Sequence, residues 1–217
     1  MSPAINLARQ LEAVAACHQV LFPAPWLALG LICAAVWLAW SGRPRADRAT
    51  ALILGLAWLA GGLGYLWHFL APDNPMARVL GALLALQGGL FLAWGLWPGP
   101  GPGFWPRRDG QGVLGAAMIG YGLVLLPLID LGQGLDWRHL PLAGLFPTPT
   151  AIVSFGLLLW TRRPVPLGLL LIPIAWALME SYAAIVLGRL GDAGLAVAGV
   201  AACALLLPRF PGPKLHW

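Results

Sequence analysis

Apolar residues run almost unbroken through seven stretches of the chain, near 22–40, 50–70, 76–97, 111–131, 149–160, 166–187 and 193–207. Short segments rich in proline, glycine and arginine separate them. At about 1.5 Å per helical residue, most of these runs match a hydrocarbon core about 30 Å thick. None shows the alternation of a half-buried strand, so each is expected to be a helix. The expected fold is all-α: an integral membrane bundle of about seven transmembrane helices, forming one domain over 21–208. Before it, Leu7, Leu11, Val14 and His18 recur at helical spacing, which predicts an amphipathic helix over 5–20 lying on the outer face. After it, 209–217 reads as a cytoplasmic tail.

The fifth run is too short. Pro149 to Trp160 would cover roughly 18 Å as a helix, less than a full crossing. Two explanations stand side by side. Arg162 and Arg163 can snorkel while the helix extends at both ends, or LPLAGLFPTP dips into the protein and a half-helix starts at Thr148 or Thr150. The second gives a short or re-entrant helix near 140–160, whose N-terminal amides and partial positive charge would favour an anion.

Composition agrees with the pattern. The chain of 217 residues is 59% hydrophobic and 10% charged, with mean hydropathy +0.78, which excludes a soluble globular domain. The net charge of +5 does not imply nucleic-acid binding, because of where the basic residues fall. With the N-terminus outside, nine of the 13 (Arg43, Arg45, Arg48, Arg107, Arg108, Arg162, Arg163, Arg209 and Lys214) lie on inner segments. Arg9, Arg78, Arg138 and Arg189 lie on outer ones. This asymmetry predicts an N-out, C-in multi-pass protein of a bacterial inner membrane. Trp37, Trp40, Trp94, Trp97 and Trp160 at inner ends, and Trp26, Trp67 and Trp137 at outer ends, read as interfacial anchors. The first twenty residues carry Arg9 and Glu12 and do not read as a cleavable signal peptide. The three cysteines fall at different depths and suggest no disulfide.

The candidate chemistry begins at Glu180, one carboxylate inside the apolar run 166–187. A carboxylate at that depth costs several kcal/mol unless protonated, paired or beside water, so it marks a functional site by default. His68 closes a stripe with Tyr65, Gly64 and Gly61 on the second run, and Asp130 sits near the outer end of the fourth. On the expected topology His18, His68, Asp130, His139 and Glu180 converge on the outer half. They suggest a substrate or proton site of Glu180, His68, Asp130, Tyr65, Thr148 and Thr150. The same region offers candidate ligands for a divalent transition metal in His68, His139, Glu180 and His18. No HxxxH or HExxH pair fixes two ligands on one helical face, so the metal signal is the weaker one. Retinal chemistry is excluded by Lys214 being the only lysine.

The segments ACHQVLFPAP, YLWHFLAPDNPMARVLGALLALQGGLFL, FPTPTAIVSFGLLLW and LLIPIAWAL resemble a bacterial polytopic membrane family known as domain of unknown function number six-zero-six-four. The resemblance covers most of the chain. It rests on His68-Phe69, Asn74-Pro75, Gln87 and the Pro-x-Pro-Thr before Phe155-Gly156. Where the family has Tyr-Asn this chain has Cys17-His18, and where it has Cys between the prolines this chain has Thr148. The resemblance implies a polytopic membrane protein and supplies no activity. The residues themselves suggest a small transporter, permease-like protein or transport accessory with an outward-facing pocket. The rival readings are a metal-dependent membrane enzyme at the outer leaflet and a structural or assembly subunit. The expected partners are the lipid bilayer and either a second copy or a membrane partner subunit.

Overall fold

The computed structural model describes residues 3–98, 101–187 and 193–206. The tail 209–217 and Arg189 lie outside them. The described residues fold into helices along the seven apolar runs: α1 Pro3–Val20 precedes them, followed by α2 Ala24–Ser41, α3 Pro44–Leu59, α4 Met76–Leu96, α5 Gly110–Gly120, α6 Leu126–Gly132, α7 Pro147–Leu159, α8 Gly168–Leu187 and α9 Ala193–Leu206. The only β contact among them is one antiparallel bridge between Phe104 and Thr161. Helix α3 runs on without a break as a π-helix, Ala60–Leu70, and a shorter π stretch, Tyr121–Leu125, joins α5 to α6.

Four continuous helices are long and apolar enough to cross a membrane: Ala24–Ser41, Arg45–Leu70, Met76–Leu96 and Gly110–Gly132. Among the described residues Pro147–Leu159 and Gly194–Leu206 are shorter, as is the Gly168–Tyr182 part of α8, which runs on to Leu187 as a helix of 20 residues. All seven apolar runs therefore become helices, and at least four of them have spanning length. Large apolar side chains face outward on these helices, among them Leu27, Leu56, Leu83, Val113 and Val197, as a hydrocarbon environment requires.

The centre of the molecule is α7. Every residue from Pro147 to Leu159 is buried, and so is the non-helical segment 140–146 that leads into it. At 13 residues α7 is about 20 Å long, roughly two-thirds of a full crossing. Its start at Pro147 is one residue before the earlier of the two expected positions. Buried non-helical backbone is tolerated only where protein satisfies its polar groups, and here it does. Gly144 N–H donates to Thr150 Oγ1 at 2.8 Å, Thr150 Oγ1 donates to the Phe146 carbonyl at 2.7 Å, and Phe146 N–H donates to the Leu142 carbonyl at 3.1 Å. Gly144 has φ 103°, a left-handed conformation that glycine adopts freely, and a Cβ there would lie 2.6 Å from the Ala28 carbonyl oxygen.

Small residues and buried hydrogen bonds fasten α7 to its neighbours. Gly115 of α5 and Gly156 of α7 meet so closely that a Cβ on either would come within 2.7 Å of the other's carbonyl oxygen. Trp58 Nε1–H donates to Ser154 Oγ at 3.0 Å, and Trp160 Nε1–H donates to the Gly112 carbonyl at 3.0 Å. Trp160 is thus a core residue, 3% exposed, rather than the interfacial anchor its position suggested. Trp37, Trp40 and Trp97 do stand exposed. Gln87 donates from Nε2 to the Leu169 carbonyl at 3.0 Å, the interhelical bond expected of a buried amide.

The loops after α2, α4 and α7 gather at one end. Arg162 N–H donates to the Gly103 carbonyl and its guanidinium lies 4.6 Å from the Trp105 ring centre. Trp105 in turn lies against Gly42, which has φ 61°. The opposite end carries α1 and the turn at Trp137–His139.

Candidate functional site

At the α1 end, where α7 begins, α1, the π-helix, the segment before α7 and α8 enclose a cavity of ≈ 60 Å³. That is room for roughly four water-sized groups. Tyr65, His139, Thr148 and Glu180 line it, together with Gln10 and Trp176. Four of the residues singled out in the sequence therefore share one wall space, from four separate parts of the chain.

Each reaches the cavity for a local reason. Glu180 and Trp176 are four apart on α8 and so lie on one face. Thr148 is placed by the buried segment that starts α7. Tyr65 is presented by the π-helix, with its ring 4.8 Å from that of Phe146, whose other face stacks on His18 at 5.5 Å. Residues Gln10, Leu11 and Val14 of α1 form the roof.

Trp176 is the residue that sequence reasoning missed. It is 6% exposed, it lines the cavity, and among the described residues its indole Nε1–H has no acceptor. A buried donor left without an acceptor costs about 1–3 kcal/mol, which makes this indole a candidate to bond a polar group beside it in the cavity. The signal was present, since Trp176 stands one helical turn before Glu180.

Other expected members fall elsewhere. His68 is exposed and does not line the cavity. With i→i+5 bonding, a residue three places on from Tyr65 lies roughly a third of a turn away, so the stripe drawn at α-helical spacing does not hold. Asp130 is buried on α6 but outside the cavity lining. Thr150 is spent on closing the turn before α7. His18, 1% exposed, is walled off behind Phe146, its Nε2–H donating to the Leu140 carbonyl at 2.9 Å. Burial pushes its imidazole below the usual range, the Leu140 bond opposes this, and nearby His139 adds to it.

The described residues lend the metal expectation no support. Among the described residues no three of His, Cys, Asp and Glu are placed to hold an ion. Of the proposed ligands, His68 points outward, His18 is used by Leu140, and His139 Nδ1 is 2.6 Å from Asp136 Oδ1. Only His139 and Glu180 reach the cavity.

The start of α7 also differs from the anion site that a half-helix suggests. Pro147 and Pro149 carry no N–H, so Thr148 is the one residue of the first three with an amide to offer. The dipole remains while most of its donors are gone. The cavity instead offers side-chain groups: a carboxylate, an imidazole, an indole N–H, an amide and two hydroxyls. His139 stands in the wall shared with a shallower cleft of ≈ 350 Å³ bordered by Glu12 and Asp136. The Asp136 carboxyl is held below its usual range, first by the His139 hydrogen bond.

A family described as a family of unknown function, DUF6064, matches residues 11–216, and the chain belongs to it. No curated protein and no solved structure matches the chain.

Proposed function

We propose that this member of the family, with a short buried helix that begins at a polar cavity, is a small membrane transport protein or transport accessory. The cavity around Glu180, Trp176, Tyr65 and Thr148 is its solute or proton site. The observation that carries this is the wholly buried 140–159 segment: non-helical backbone followed by a short helix, with the Glu180 carboxylate of an apolar helix lining the cavity at the junction. Discontinuous helices facing polar groups at depth are how transporters build their sites. The acidic cleft beyond His139 supplies a route from the surface.

In this reading the helices shorter than a full span complete a seven-helix bundle, and the arginine asymmetry supports the N-out, C-in orientation in a bacterial inner membrane. Glu180 exchanges a proton or meets a polar solute, Trp176 and Thr148 hydrogen-bond that solute, and His139 relays between cavity and cleft. No feature of the site favours the metal-dependent enzyme.

The test is transport by purified protein in vesicles that enclose a pH-sensitive dye, challenged with small amines, amino acids and organic acids. At least one class is expected to drive a proton-linked signal that Glu180→Gln abolishes. A folded wild type that is silent across the set, or a signal that Glu180→Gln leaves unchanged, overturns the proposal.

A further inference from the structure

The opposite end of the molecule carries a second opening, a cleft of ≈ 580 Å³ between the end of α2 and the start of α3. Its lower wall is apolar, from Leu38, Ala46 and Ala49, and its rim carries Arg43, Arg45 and Trp37. We propose that this cleft is a site for one anionic phospholipid, whose phosphate sits between Arg43 and Arg45 and whose upper acyl carbons lie along Leu38 and Ala49.

Three independent features argue for an amphiphile with negative charge. First, the charges are available. Arg43 and Arg45 are exposed, and among the described residues neither has a carboxylate partner. The nearest candidate, Asp47, is buried and engages the backbone amides of Gly103 and Phe104 instead. Two uncompensated guanidinium groups on one rim match a phosphate diester, which each can meet with paired N–H donors. Second, the cleft changes polarity along its length in the order that a lipid does. It passes from arginine to alanine and leucine over about one helical turn at the end of a spanning helix, where the headgroup boundary lies. Third, Trp37, 71% exposed, lines the cleft one turn before the end of α2, where an interfacial aromatic belongs. The turn that brings the arginines together is fixed by Gly42 at φ 61°, packed against Trp105.

The site lies at the end away from the α1 cavity, and it does not depend on what that cavity binds. It explains why the short linker SGRPR holds two arginines between two spanning helices without an acidic partner. Basic pockets of this kind beside spanning helices recognise anionic headgroups.

The test uses the full-length protein in detergent, titrated with phosphatidylglycerol, with phosphatidylcholine or with inorganic phosphate, and followed by thermal unfolding and native mass spectrometry. Phosphatidylglycerol is expected to bind saturably as one retained lipid and to raise the unfolding temperature, while the other two do neither. Arg43→Gln with Arg45→Gln is expected to weaken that binding roughly thirtyfold, from losing two phosphate contacts. Arg107→Gln with Arg108→Gln, an equal charge change elsewhere at this end, is expected to weaken it less than about threefold because screening confines such effects. Arg43→Lys with Arg45→Lys retains part of the binding and shows that the turn folds without arginine. Equal binding of phosphatidylcholine, displacement by inorganic phosphate, or an equal loss in the two glutamine pairs overturns the proposal.

Discussion

Trp176 carries the sharpest consequence at the scale of single residues. Its Nε1–H is buried without an acceptor among the described residues, so Trp176→Phe removes a donor that they leave unsatisfied. Thermal unfolding of the empty protein should stay level or improve by up to about 1–3 kcal/mol, while affinity for the transported solute falls. Loss of stability with unchanged affinity would show that the indole is merely packing. His18 gives a pH dependence. Its ordinary value is about 6.5, and burial, partly offset by the Leu140 bond, keeps the folded-state value lower. Below about pH 6.5 the unfolded chain takes up a proton that the folded chain refuses. Stability should therefore fall as the pH drops from there to the folded-state value, by at most about 1.4 kcal/mol per pH unit. His18→Phe should flatten this slope in unfolding measured from pH 7.5 to 5. The thiol beside it, Cys17, is pushed up to about 12 by burial and should resist alkylation in the folded protein.

At the scale of elements, close backbone contacts hold the bundle. Gly62 of the π-helix and Gly81 of α4 meet closely, where a Cβ on Gly62 would lie 2.5 Å from the Gly81 carbonyl oxygen. Gly62→Ala is expected to cost about 1–3 kcal/mol, whereas Gly89→Ala, with nothing within 4 Å, should be neutral or stabilising. Unfolding of both variants in one detergent decides it, and equal effects would remove the close contact from the account. Ser154→Ala should cost a similar 1–3 kcal/mol by stranding the buried Trp58 indole N–H. The elements themselves were legible because hydrophobic runs of spanning length have few alternatives. Two things were not. In the π-helical stretch over Ala60–Leu70, Gly61 and Gly62 pack closely against Leu145 and Gly81, and no local sequence pattern distinguishes it from an α-helix. The α-helical spacing therefore groups His68 with Tyr65, whereas in the structure His68 points outward. The prolines at the start of α7 were visible, yet their removal of amides matters only once Pro147 is known to be the first helical residue.

For the whole molecule, α7 and the segment before it form a buried core that the longer helices enclose, and the polar cavity lies where that core begins. The membrane class, the shortness of the fifth run and the membership of Tyr65, Thr148, His139 and Glu180 in one region could be read from the chain. The grouping of Asp130 and His68 with them could not, because depth along a helix does not give rotation about it. A cavity that handles solute and a set of polar groups that only lock helices make different demands on conservative variants. The most direct measurement is vesicle transport and thermal unfolding, side by side, for wild type, Glu180→Gln and Trp176→Phe. A functional cavity predicts that both variants lose transport while neither unfolding temperature falls more than about 2 °C below wild type. Transport and stability falling together, or transport persisting in both variants, would contradict it.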